Sequence, residues 1–144
     1  VAGRYTPTVS GEADVVAGAQ ALFGSRLRGL FLFGSRVTGR PRPDSDLDVG
    51  VWLEPPLRRQ TDWVPWARRF EAHEPVLDPR FFASASLERP PGWLLEALAG
   101  DVNILADPSG QLDARFADLR RDVRAGRHRR RVFMGLPYYE TRPV

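Results

Sequence analysis

Two aspartates, Asp46 and Asp48, stand one residue apart, nine residues after the stretch Leu32-Phe33-Gly34-Ser35-Arg36. On an extended strand, residues i and i+2 share a face with Cα atoms about 6.5–7 Å apart, so both carboxylates project together. Held that close without a cation they repel, and one of them titrates high. Toward Mg²⁺ the same pair offers hard oxygen ligands, and the ion completes its octahedron with water and substrate phosphates. Two such ions about 3.5–4 Å apart can clamp the attacking and leaving oxygens of an in-line displacement. Gly34 lets the backbone turn tightly and come close to a ligand. Ser35 then opens a helix whose free N–H groups and positive dipole end favour a phosphate, to which its hydroxyl can also donate. The combination suits phosphoryl or nucleotidyl transfer.

Each half of the pattern is common alone, since Gly-Ser occurs in many turns and Asp-x-Asp on many solvated strand faces. The chain carries its own control, because Leu22-Phe23-Gly24-Ser25-Arg26 repeats the same five residues ten positions earlier. That copy follows a helical pattern and lacks a correctly spaced acid pair, so it reads as a helix end. Among the neighbouring charges, Arg36, Arg40 and Arg42 can neutralise phosphate or serve as solvated loop arginines. Asp44, after Pro43, reads as a turn residue.

The elements that must position these residues show in the periodicities. From Ser10, a candidate N-cap, Val15, Val16, Ala19, Leu22 and Phe23 recur at helical spacing, and Gly24 ends the helix. Leu30 to Phe33 is a continuous apolar run entering Gly34, the pattern of a strand buried on both faces. Residues 39–45 are loop by composition. Asp46 to Leu53 alternates as a strand, with Leu47, Val49 and Val51 on one face and Asp46, Asp48 and Gly50 on the other. A helix from Thr61 or Asp62 places Trp63, Trp66, Ala67 and Phe70 on a core face, with His73 at the surface beyond it. Pro75 to Phe82 reads as a strand that Pro79 confines to an edge or a bulge. Pro91 to Leu98 is a short helix closed by Gly100, and Val102 to Leu105 a short strand. The last helix carries Leu112, Phe116, Leu119 and Val123 on one face and stops near Gly126. Helices and strands alternating in this way predict an α/β (α+β) fold, a small mixed sheet flanked by helices.

Composition bounds the answer. At 144 residues and 42% apolar content, residues 1–144 fit a single domain that buries about 70% of its unfolded surface. Cysteine is absent, which excludes disulfides and thiolate metal sites. No apolar run approaches the roughly 18 residues of a membrane span and no signal peptide opens the chain, so a cytoplasmic protein with no membrane partner is expected. All 21 basic residues are arginine, and seven of them fall at 120–131 beside a single acid, Asp122. That segment reads as a solvated helix end or as a docking surface for an acidic partner; nucleic acid ranks behind both.

Gly34-Ser35 followed by Asp46-Leu47-Asp48 resembles the signature of the DNA polymerase β-type nucleotidyltransferase superfamily. The segments Gly34 to Arg40 and Pro43 to Asp48 look most like its minimal nucleotidyltransferase (MNT) branch, whose members are often encoded beside a helical HEPN protein. The resemblance implies that Gly34 and Ser35 hold the triphosphate while Asp46 and Asp48 bind Mg²⁺; Arg36, by its charge, is a further candidate nucleotide-binding residue. The family places a third carboxylate on a later strand, and Asp78 in Val76-Leu77-Asp78 matches best, as a further metal ligand that helps activate the attacking hydroxyl. Pro79 and Arg80 depart from that pattern, standing where apolar strand residues are expected. The implied activity is transfer of AMP from ATP, with two Mg²⁺ ions, to a hydroxyl such as a tyrosine of a HEPN-type toxin in a toxin-antitoxin pair. Two alternatives stay open: an aminoglycoside-type transferase acting on a small molecule, and a non-catalytic antitoxin that neutralises a partner by binding it.

Overall fold

The computed structural model describes residues 9–38 and 46–143. The chain runs α1 (Val9–Phe23), β1 (Leu27–Phe33), α2 (Ser35–Thr38), β2 (Leu47–Leu53), α3 (Val64–Arg69), β3 (Leu77–Phe82), α4 (Ala85–Glu88) and α5 (Gly92–Ala99). It continues through β4 (Asn103–Ala106), α6 (Gln111–Arg124), β5 (His128–Phe133) and β6 (Leu136–Thr141). Strands β3-β2-β1-β4 form one sheet, with β1 antiparallel to β2 and β4, and β2 parallel to β3. The expected mixed sheet flanked by helices is therefore observed. Among the described residues no helix is long and apolar enough to cross a membrane.

Strand alternation sorts the core into two layers. Leu30 and Leu32 of β1 join Leu47, Val49, Val51 and Leu53 of β2 against Val15, Ala19 and Phe23 of α1 and Trp66 and Phe70 from α3 onward. Phe31 and Phe33 face the other way, with Trp52 and Phe82, onto Leu94, Ala97 and Leu98 of α5 and Leu112, Phe116 and Leu119 of α6. A strand covered on both faces must be apolar on both, which is why β1 reads as an unbroken run. It begins at Leu27, earlier than that run, because Arg28 pairs with Glu54 and lies over the Trp52 ring. Gly29, next along the strand, leaves room for Leu112.

Asp48 lies on the second face, in line with Gly50 and Trp52. Gly50 is required there, since a Cβ would collide with the Phe31 ring. Pro79 is tolerated because β3 is the edge strand of the sheet. Gly24 ends α1 at φ +54°, as its left-handed backbone allows.

Three expectations need correction. Trp63 is not core; it is exposed, with the Arg59 guanidinium 5.1 Å from its ring centre. The cause is a π-helical turn at Arg59–Trp63 ahead of α3; its wider winding carries Trp63 off the face of Trp66 and Phe70. Asp62 takes the buried place instead, its Oδ1 accepting from Arg26 Nη1 at 2.8 Å and its Oδ2 from the Arg58 backbone N–H at 2.8 Å. His73 is half-buried, not a surface residue, and its ring nitrogen Nδ1 lies 2.8 Å from the Pro75 carbonyl oxygen. Finally, the chain does not end in helix. After Gly126 (φ +82°), β5 and β6 make a hairpin through Met134 (φ +51°) and Gly135 (φ +79°), the paired left-handed residues of a tight two-residue hairpin turn.

The packing of Phe31 on Gly50 yields a first expectation. Gly50→Ala should cost about 1–3 kcal/mol, as an overpacked core site does. Urea denaturation measures it, and an unchanged midpoint would mean that Phe31 moves aside freely.

Candidate active site

The site is built where the ends of β1, β2 and β3 meet. Parallel pairing sets Asp48 opposite Asp78, and antiparallel pairing sets Asp48 opposite Phe33, the residue before Gly34. Gly34 has φ +88°, and a Cβ there would collide with the Asp48 carboxylate. Glycine thus serves twice, in the turn and in the space that Asp48 occupies. After it, α2 is a single turn: the Val37 N–H donates to the Gly34 carbonyl at 3.1 Å, and Val37 is buried. That turn pins Ser35, whose side chain is exposed, beside the strand ends.

Asp48 is where the electrostatics concentrate. Its carboxyl is raised from 3.8 to about 6, first by burial and then by the charge of Asp78, which also hydrogen-bonds it; Asp46 adds a smaller push. Arg80 opposes these and favours the ionised form. The charges of Asp78 and Asp46 thus both act on Asp48, although Asp46 itself is exposed. The backbone of Arg36 lies within α2. Residues 39–45, with Arg40, Arg42 and Asp44, lie outside the described residues.

The donor set fits a hard divalent cation. A half-buried carboxylate crowded by two others gains most from a positive ion, and oxygen is the donor Mg²⁺ takes. Among the described residues no three acidic or histidine side chains form a ready-made metal cage. That accords with an ion usually held by one or two carboxylates together with substrate phosphates.

Two further features escaped the sequence reading. Arg80 stands opposite Gly50 in the β2–β3 register and two residues beyond Asp78, so strand alternation puts it on the same face. That spacing was the available signal. The second is a cavity of about 250 Å³ beside Gly34, lined by Phe33, Trp93, Glu96 and Ala97. Glu96 Oε1 accepts from Arg130 Nε at 2.5 Å and from the Tyr139 hydroxyl at 2.8 Å. Those bonds, Arg130's first, hold Glu96 below the usual carboxylate range. Burial, and then the bond to Glu96, push the Tyr139 phenol up to about 12. No local pattern announces this cluster, because the hairpin that closes it is distant in sequence.

Residues 18–98, more than half of the chain, match the family model of the Nucleotidyltransferase domain. A chain from the crystal structure of a toxin-antitoxin with AMP-PNP is similar at a TM-score of 0.60 and 17% identity, over 81% of this chain and 91% of that one. A structure of tri-AMPylated Shewanella oneidensis HEPN toxin in complex with MNT antitoxin gives 0.55 at 15% identity, over 82% and 90%. The toxin-antitoxin MntA-HepT gives 0.56 at 15%, over 83% and 92%. At these identities the likeness is one of fold. No curated protein matches the chain significantly.

The raised carboxyl of Asp48 has a consequence for stability. A folded value above the unfolded one means that the native state binds the extra proton between the two, so this contribution is present at low pH and is lost as pH rises through about 6. Asp48→Asn should therefore raise the melting temperature of the metal-free protein at about pH 8 and have little effect at about pH 4. Thermal melts at both pH values check this. An equal shift at both would assign the effect to packing.

Proposed function

This chain belongs to the nucleotidyltransferase domain family, and we propose that it is a Mg²⁺-dependent enzyme moving AMP from ATP to a hydroxyl of a partner protein. The observation that carries the reading is the Asp48 carboxyl, crowded by Asp78 and Asp46 and lying against a glycine that gives it space. A fold that only binds a partner has no need of a half-buried carboxylate crowded by two others at a strand end.

In this reading Asp46 and Asp48 hold the metal and Asp78 completes the set. Bound there, Mg²⁺ would neutralise phosphate charge and make the α-phosphorus more open to attack. The rest falls to the chain's own residues. Gly34 lets the backbone approach the triphosphate, and Ser35 and Arg36 offer it donors. Asp78, facing Asp48, accepts the proton of the attacking hydroxyl. The acceptor oxygen bonds to the α-phosphorus, the bond to the bridging oxygen breaks, and pyrophosphate leaves with its electron pair.

The acceptor is proposed as a tyrosine of a HEPN-type partner in a toxin-antitoxin pair. Two things support it: the fold shared with chains from toxin-antitoxin structures, one of which holds an AMPylated HEPN toxin, and a basic C-terminal region suited to a protein partner. Tyr139 of this chain is a poorer acceptor, because its hydroxyl is already bonded to Glu96.

With Mg²⁺ and a helical HEPN-type partner, α-labelled ATP should mark the partner and γ-labelled ATP should not. Asp46→Asn or Asp48→Asn should cut transfer about a thousandfold or more, the worth of several kcal/mol at the transition state. Mass spectrometry of both chains reads the outcome. Tight neutralisation of the partner with no gain of AMP on either chain would make this a binding protein. Labelling of an added aminoglycoside in place of the partner would make it a small-molecule enzyme. Asp78→Ala should lose turnover while keeping nucleotide affinity, seen as a fall in kcat at an unchanged Kd. Wild-type rates would leave Asp78 a structural role.

A further inference from the structure

The C-terminal region carries a surface that transfer chemistry does not use. In the hairpin register Phe133 faces Leu136, Arg131 faces Tyr138 and Arg129 faces Glu140, so these six share one side of the ribbon. The opposite side turns to the body: His128 is buried, and Arg130 and Tyr139 bond to Glu96. The outward side is charged at its base and apolar at its tip, where Phe133 is 68%, Met134 86% and Leu136 70% exposed. Beside the hairpin root a cavity of about 210 Å³ opens between α5 and α6, with Leu95, Leu98 and Val123 on its walls and Arg120 and Arg124 at its edges. Val123 continues the apolar stripe of α6 beyond the core and remains exposed.

Charge decides what fits. Arg121, Arg127, Arg130 and Arg131 are paired with acids of this chain. Among the described residues Arg120, Arg124 and Arg129 have no carboxylate partner. A second copy meeting this face through its own would bring unpaired guanidinium groups together. Nucleic acid phosphates would suit the arginines but leave Phe133, Met134 and Leu136 in water. Arginine, methionine and aromatic residues around an apolar centre are the composition that protein interfaces favour.

We propose that the face formed by α5, α6 and the hairpin docks a partner protein that presents carboxylates around an apolar anchor. Helix α5 is the wall between this groove, which Leu95 and Leu98 line, and the cavity beside Gly34, which Trp93 and Glu96 line. A docked partner thus sits about one helix diameter, roughly 10 Å, from the candidate transfer site. The family model ends at residue 98, before α6 and the hairpin. Docking stands independently of turnover; only what the partner receives rests on the transferase reading.

The test is fluorescence anisotropy with the full chain and a labelled helical peptide carrying leucines at i and i+4 flanked by glutamates. At about 50 mM salt, micromolar binding is expected that weakens about tenfold or more in Arg120→Glu/Arg124→Glu, and is lost when the peptide glutamates become glutamine. Phe133→Ser, at an exposed tip that folding does not need, should also weaken it. Asp48→Asn should bind as wild type does, so loss of docking and loss of transfer are read separately. Absence of peptide binding, or affinity unchanged in both surface variants, would overturn the proposal. So would tighter binding of an oligothymidylate through the same residues, or a dimer in sedimentation that the substitutions dissolve.

Discussion

The Asp48 carboxylate occupies the space that a Cβ on residue 34 would need, and the molecule is arranged around keeping it there. Gly34 must be glycine for that reason as well as for its left-handed backbone. Phe31 fills the space above Gly50, two residues along the same face, and Trp52 and Phe82 stack beyond it. The charged end of β2 therefore sits on a floor of packed aromatics that cannot yield to it. Burial and two neighbouring carboxylates then make ionisation of Asp48 costly. A carboxylate crowded in this way gains the most from a cation beside it.

The same constraint explains the layering. The face of the sheet against α1 and α3 is apolar apart from Asn103, which bonds to Glu12 of α1 at its edge, while the acid cluster lies at the strand ends on the other face. A second anchor, the Arg26–Asp62 pair, ties the turn after the first helix to the turn before α3, at the opposite end of β1 and β2 from the candidate site. Glu96, bound by Arg130 and Tyr139, fastens the hairpin to the helix that walls the cavity beside Gly34. The basic C-terminal region is thus joined to the body through a residue that lines the cavity beside Gly34.

Much of this was legible in the sequence wherever a local period carried it. The apolar run into Gly34, the alternation from Asp46 to Leu53 and the edge position forced by Pro79 each follow from strand geometry. The control copy at Gly24 was separable because helical spacing precedes it. What failed were features set by tertiary structure. Trp63 lies at helical spacing from Trp66, yet a wide turn rotates it into solvent. The hairpin hid behind Arg129-Arg130-Arg131, where alternation between faces leaves no hydrophobic trace. The pairing of Asp48 with Asp78 needed the parallel register of β2 and β3, which no local pattern states. Arg80 looked like a breach of the family pattern, whereas the structure makes it the counter-charge that favours ionised Asp48.

The most direct test of the central claim follows the side-chain carboxyl carbon of Asp48 by NMR across pH, with and without Mg²⁺ and a non-hydrolysable ATP analogue. In the metal-free protein the expected midpoint is about 6, and Mg²⁺ with the analogue should carry it below the ordinary aspartate range. A midpoint at the ordinary aspartate value, unmoved by Mg²⁺, would contradict the assignment of this carboxylate to a metal-dependent nucleotidyl transfer site.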